Sequence, residues 1–314
     1  MKYTVILLAL LLTGCTGTDI RGRISPDLLA ADPGTEICFA ARDSSGTVIS
    51  AAAESPLRME DALHAAAGES LSTGHLSLLL LGGAPAQILP DFCAAGRMPP
   101  TCDVLYCPDG ACRLLKNGQA PAPEQIRAAV QTGMLPCRSA DAVLGDLWGG
   151  SGVTALTALH GNRLTLTLFH GDIPCGTLSE DACRGLALIG KRWERFSFSA
   201  AGETFFVQHA LLRITVTEAE NRLCFAVSGR IFVFGAENTA ARDVLCRILG
   251  AALTETASQA GADLLTLREA ALREGISAAD CPQEAWRVRL MQAEYRTEPE
   301  VIFTVLRETA QIRA

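Results

Sequence analysis

Apolar and polar positions change their period along the chain, and the changes predict its elements. Residues 4–12 form an unbroken apolar run behind Lys2 and end at Leu12-Thr13-Gly14-Cys15. Residues 16–34, rich in Gly, Thr, Asp and Pro, read as a tether. Two strands follow at 36–41 and 47–52, joined by the turn Asp43-Ser44-Ser45-Gly46. Pro56 opens a helix through about residue 71, proline being tolerated at the first helical position. The run 76–81, stopped by Gly82-Gly83, predicts a strand buried on both faces. A helix at 84–95, a strand at 102–107 and short helices at 124–131 and 141–148 complete a first half with mixed α/β order.

Gly149-Gly150-Ser151-Gly152 reads as a flexible joint. It is no nucleophile elbow, because Val153 stands where the last glycine of GxSxG belongs. Beyond it the period shortens to two. Residues 153–159 and 163–169 alternate around His160-Gly161-Asn162 and predict a hairpin. A helix from Ser179 to Ile189 precedes strands at 195–199, 211–217 and 222–228. The longest helix is predicted over 237–260, with Val244, Leu245, Ile248, Leu249 and Ala252 on one face. A helix at 263–273 and closing strands at 287–295 and 300–306 end the chain. The fold class is therefore α+β: an N-terminal mixed α/β domain over 35–148, then a β-rich domain packed on a long helix over 149–314.

The first fifteen residues carry the clearest chemistry. A basic start, a short apolar run and small residues before a cut describe a signal peptide, residues 1–14. The run is too short to cross a bilayer, which takes about 20 apolar residues. A cysteine directly behind Leu-Thr-Gly resembles the bacterial lipobox, in which the thiol receives a diacylglycerol. That makes Cys15 the lipidation site and residues 15–34 a lipidated tether, with palmitate-like acyl chains in the outer leaflet. Two chains suffice for stable anchoring at about 0.8 kcal/mol per buried methylene.

Charge narrows the partners. Losing residues 1–14 removes one lysine from 27 basic residues, leaving 26 against 34 acidic. That balance argues against nucleic acid, whose phosphates need a basic face. It also leaves membrane attachment to the acyl chains rather than to anionic lipid. Aromatic residues make up only 5% of the chain, so an aromatic-lined cleft is not favoured.

Cys15 aside, eleven of the twelve cysteines remain, and an odd number cannot all pair. The spacing of Cys102, Cys107 and Cys112 admits a zinc set completed by Cys93 or Cys137. Cys107 and Cys112 also flank Pro108-Asp109-Gly110 and could face each other as a disulfide in a hairpin. The favoured reading is free thiols acting as small hydrophobes, with no metal and no cofactor. His75 has no carboxylate or nucleophile in sequence reach and reads as structural, and His160 and His170 sit in turns. Glu180 and Asp181 read as first-turn acids on a helix dipole. No catalytic residue is assigned, and the chain reads as no enzyme.

Several segments, taken in order, resemble one family. Gly74-His75-Leu76-Ser77-Leu78-Leu79-Leu80-Leu81-Gly82 resembles its glycine–histidine strand, and Cys102-Asp103-Val104-Leu105-Tyr106-Cys107 its following extended strand. The stretch from Gly171-Asp172-Ile173-Pro174 through Glu180-Asp181-Ala182-Cys183-Arg184-Gly185 is similar to its "klvG-L-s-eE-rG" segment. Ala262-Asp263-Leu264-Leu265 follows the long helix as its "aDi-g" step does. The family's "WDxRE" run is replaced here by Thr16-Gly17-Thr18-Asp19-Ile20-Arg21. The family is that of the Ger(x)C lipoproteins, C-subunits of spore germinant receptors, and this chain reads as a divergent member. The resemblance implies a lipid-anchored, non-enzymatic subunit on the outer face of the spore inner membrane, acting in nutrient-triggered germination. It implies integral-membrane germinant receptor subunits as partners and a small-molecule germinant as the stimulus. An extracytoplasmic solute-binding lipoprotein of an importer is the alternative, and an exported hydrolase a third reading.

Overall fold

The computed structural model describes residues 23–304, apart from 44, 95, 97, 162 and 221. The apolar run 4–12 and Cys15 lie outside the described residues. The chain enters through β1 (Arg23–Ile24) and β2 (Pro26–Asp32) and turns back in β3 (Ile37–Asp43) and β4 (Val48–Ala53). Helix α1 (Met59–Ala67), β5 (Ser70–Leu71), β6 (Leu78–Leu81), helix α2 (Pro85–Ala94) and β7 (Asp103–Tyr106) follow. Three helices, α3 (Ala111–Lys116), α4 (Pro123–Gln131) and α5 (Ala140–Gly149), lead to β8 (Val153–His160), β9 (Arg163–His170) and β10 (Ile173–Thr177).

Eight of these strands form one sheet in the order β10-β9-β8-β7-β6-β2-β3-β4, while β1 pairs with β5. The central strands β2, β6, β7 and β8 are mutually parallel. A parallel centre needs cover on both faces. Met59, Leu63, Ile88, Phe92 and Val143 of α1, α2 and α5 pack on Leu29, Phe39, Leu79 and Leu81. Leu115 of α3 and Ile126 of α4 close the other face over Leu28, Leu78, Leu80 and Leu105.

The second sheet is built from β11 (Phe196–Ala200), β12 (Glu203–Ala219), β13 (Arg222–Phe234) and β14 (Glu294–Thr304), in that order. β14 runs parallel to β13, so the chain crosses over between them. The crossover holds α7 (Thr239–Leu253), a π-helical turn (Thr254–Gln259), α8 (Leu267–Arg273) and α9 (Gln283–Gln292). Helix α6 (Glu180–Gly190) joins the two sheets. Its Cys183 and Leu186 pack on Val153, Leu166 and Leu168 of the first sheet, and its Leu188 on Val207 and Val227 of the second and on Leu245 of α7.

Gly185 permits that junction. A Cβ there would lie 2.2 Å from the Ile248 carbonyl oxygen and 2.7 Å from the Ala252 Cβ. Gly185→Ala should therefore cost about 1–3 kcal/mol by overpacking, against the small gain alanine brings to an open helical position. Urea denaturation checks this, and an unchanged midpoint would mean that α6 and α7 move apart freely.

Three expectations are corrected. Residues 26–32 belong to no tether: Leu28, Leu29, Ala30 and Ala31 have no exposed surface and form a central strand. Pro26 sits at the strand's first position, where a missing N–H is tolerated. The glycine cluster does not divide the sheets, because β8–β10 beyond it complete the first one, and the change of sheet falls at α6. Ser151 is buried there and its hydroxyl accepts the Asp263 N–H at 3.1 Å. Residues 283–292 are helical, not a strand. Trp286, Val288 and Leu290 alternate as a strand would, but Trp286 and Leu290, four apart, are buried while Val288 is 44% exposed. The α+β class, with a mixed α/β part followed by a β-rich part on a long helix, is the observed one.

Candidate functional site

The most developed polar site lies where the two sheets meet, beneath α5 and α8. Arg138 is 6% exposed and directs its guanidinium inward. Its Nε donates to the Ala155 carbonyl at 2.8 Å, and its Nη2 donates to Thr154 Oγ1 at 3.0 Å and to Asp146 Oδ2. The Thr154 hydroxyl donates to the same Asp146 oxygen at 2.9 Å. Asp146 projects from the buried side of α5, and Thr154 and Ala155 from β8. Burial pushes the Asp146 carboxyl above its ordinary range, and the Arg138 charge opposes that shift.

Asp263 forms a second buried centre. It accepts the backbone N–H groups of Leu267 and Arg268 at 2.5 and 2.9 Å, and the Trp286 indole N–H at 2.9 Å. It thereby caps α8, whose preceding residue Thr266 is in the left-handed region and offers no side-chain cap. Its own N–H reaches Ser151, so one residue ties α8, α9 and the β8 entrance together. Burial raises its carboxyl too, with the hydrogen bonds from Arg268 and Trp286 opposing. Gln283 Nε2 adds donations to the Leu147 and Trp148 carbonyls at 3.1 and 2.6 Å, fixing α9 to the end of α5.

Two adjoining cavities open beside this network, of about 440 and 580 Å³, sharing Arg138, Ala142, Leu264 and Thr266 in their walls. The first is lined by Leu135, Leu186, Ile189 and Leu212 on its floor and by five basic residues, with no acidic one.

The residues weighed from sequence fall elsewhere. His75 is exposed in a 3₁₀ turn (Thr73–His75), and His160 and His170 are exposed at strand ends, His170 lying 3.9 Å from Glu284. Glu180 and Asp181 stand in the first turn of α6, where Glu180 lies 4.0 Å from Arg184 and Asp181 lies 3.2 Å from Arg247. Asp172 accepts the Ala86 and Gln87 N–H groups at 2.7 and 3.1 Å and so caps α2 from a distance. The turn after Cys107 leads into α3, not into a hairpin, and the Cys112 thiol donates to the Cys38 carbonyl at 3.1 Å. Among the described residues, no group of three or more His, Cys, Asp or Glu side chains is placed to hold a metal ion.

Burial pushes the thiols of Cys107, Cys112 and Cys183 up to about 12, and that of Cys102 further still. At about pH 8 these four should resist iodoacetamide in the native protein, because the thiolate is the reactive form. Cys38 and Cys175 are exposed and should be alkylated first. Peptide mapping before and after urea treatment checks this. Prompt labelling of Cys107 in the native chain would place it at the surface.

An eight-stranded mixed sheet joined through one helix to a four-stranded sheet, whose last two strands are linked by crossover helices, is a Ger(x)C-like fold. The crystal structure of the GerBC protein has this fold: the match covers 88% of this chain and 96% of that one, with a TM-score of 0.56 and 13% sequence identity. No family model and no curated protein matches the sequence. No helix among the described residues is long and apolar enough to cross a membrane.

Proposed function

We propose that this chain is a lipid-anchored, non-enzymatic subunit of a spore germinant receptor, acting in nutrient-triggered germination at the outer face of the spore inner membrane. The observation that carries the reading is the fold shared with GerBC across nearly the whole of both chains. The lipobox-like Leu12-Thr13-Gly14-Cys15 supports the anchor. The buried acids support a non-catalytic role. Asp146 is engaged by Arg138 and Thr154, and Asp263 by three N–H donors, which gives both carboxylates structural work at the junction of the sheets. A domain of this kind acts through contact, and its partner on this reading is an integral-membrane receptor subunit.

Deleting the gene should slow or abolish germination with one class of germinant while growth and sporulation continue. It should also lower the abundance of the partner subunits, since orphaned subunits are removed by proteases. Cys15→Ala should release the protein from carbonate-washed membranes. Normal germination with every germinant, together with loss of uptake of one nutrient, would instead favour solute capture for an importer.

A further inference from the structure

We propose that Cys38 of β3 and Cys112 of α3 are a thiol pair that a small-molecule disulfide oxidises to one bridge, fastening α3 to the first sheet. Both thiols are free. They stand 74 positions apart, yet the Cys112 thiol donates to the Cys38 carbonyl at 3.1 Å.

Strand period and helix capping produce that meeting. Ile37 and Phe39 of β3 face the layer of α1 and α2, while Ala40 faces the opposite layer with Cys112 and Leu115. With a period of two, Cys38 projects to the same side as Ala40, toward α3. Asp32 is the cross-strand partner of Cys38. Its carboxylate accepts the N–H groups of Ala111 and Cys112 at 2.7 and 3.0 Å. The first turn of α3 is therefore pinned over the end of β2, one strand away from Cys38. A carbonyl oxygen lies about 2.4 Å from its own Cα, so the Cys112 sulfur is within about 5.5 Å of the Cys38 Cα. A bridge whose Cα atoms stand about 4.4–6.8 Å apart is then reached by turning the two side chains.

The two thiols differ in access, which sets the order of the steps. Cys38 is exposed and Cys112 is 5% exposed. Burial pushes the Cys112 thiol up to about 12, and the Asp32 charge adds to that shift. Cys38 is therefore the entry. Its thiolate attacks one sulfur of the small disulfide, forming a mixed disulfide and releasing one small thiolate. The Cys112 sulfur then attacks the Cys38 sulfur, its proton passing through water to the second small thiolate as that leaves. The two cysteines lose two electrons and two protons, and the small disulfide gains both as two thiols. Helix α3 has six residues, too few to hold a helix by themselves. A bridge across so long a loop restricts the unfolded chain and stabilises the native one. The inference concerns this thiol pair alone and stands whether or not the chain serves germination.

The test incubates the full chain, in a mild non-ionic detergent at pH 8, with oxidised glutathione. Unreacted thiols are then alkylated in urea. Trypsin with a protease that cuts before aspartate releases residues 32–42 and 109–113, each holding one cysteine. The expected product is these two peptides joined, and separated again by reduction. The urea midpoint of the oxidised chain should rise by about 1 M over the reduced one. Cys38→Ser, an exposed change, should stay folded and lose both the joined peptides and the rise. Cys38 left as its glutathione adduct with Cys112 alkylated overturns the proposal, as does Cys112 joined to Cys107. So does a bridge that forms only in urea, a midpoint that does not rise, or the same rise in Cys38→Ser.

Discussion

Replacing Asp263 by Ala should lower the stability of the chain by about 3–5 kcal/mol, and more than any surface substitution. Three donors, the N–H groups of Leu267, Arg268 and Trp286, lose their acceptor at once in a site only 3% exposed. Each buried donor left unmade costs about 1–3 kcal/mol, partly offset because the carboxylate's own burial penalty disappears. Asp263→Asn keeps one acceptor oxygen and should fall between. Urea denaturation followed by Trp fluorescence reads the loss, and a loss under about 1 kcal/mol would mean that water reaches all three donors. The pH dependence has a definite sign. Burial raises the Asp263 carboxyl, so the folded chain holds the proton more tightly than the unfolded one. Stability from this group is then greatest below the ordinary carboxylate value and declines as pH rises through the raised one. Asp263→Asn should remove that part of the slope.

Breaking the Arg138–Asp146 pair from one side should cost a similar about 3–5 kcal/mol. Arg138→Met leaves an anion buried beside Thr154, and Asp146→Leu leaves a guanidinium with only Thr154 and the Ala155 carbonyl as acceptors. The double variant removes both charges and should recover most of the loss, because a buried ion pair replaced by apolar groups of similar volume is often close to neutral. Denaturation of the two single variants and the double variant forms a mutant cycle. A double variant as unstable as the sum of the singles would show that the two residues act independently. The outcome bears on the junction between the sheets, since Asp146 comes from α5 under the first sheet and Arg138 also lines the cleft shared with α8.

Much of this architecture was legible because it is local. The periods at 153–170 and 211–228 show as strands, and the apolar run ending at Leu81 shows as a doubly buried one, since a strand's alternation survives in the sequence alone. The order of weak motifs pointed to the Ger(x)C-like fold that the comparison with GerBC shows. Legibility failed where composition and context disagree. Pro26 and Asp27 give the look of a linker to residues 26–32, which β6 and β3 then enclose on both edges. Trp286-Arg287-Val288-Arg289-Leu290 alternates, but only the helix puts Trp286 and Leu290 against Phe225 and the core beneath it.

The junction chemistry was hidden for a further reason. Asp146 and Arg138 are eight residues apart and Asp263 and Trp286 twenty-three, with no spacing that relates them. Sequence by itself determined the periodic elements, which depend on neighbours along the chain, and the acidic balance, which depends on composition alone. Only the tertiary structure decided that β8–β10 belong to the first sheet and that Asp263 ties two helices to Ser151. Those features rest on burial and on the convergence of distant residues, which only the packed chain defines.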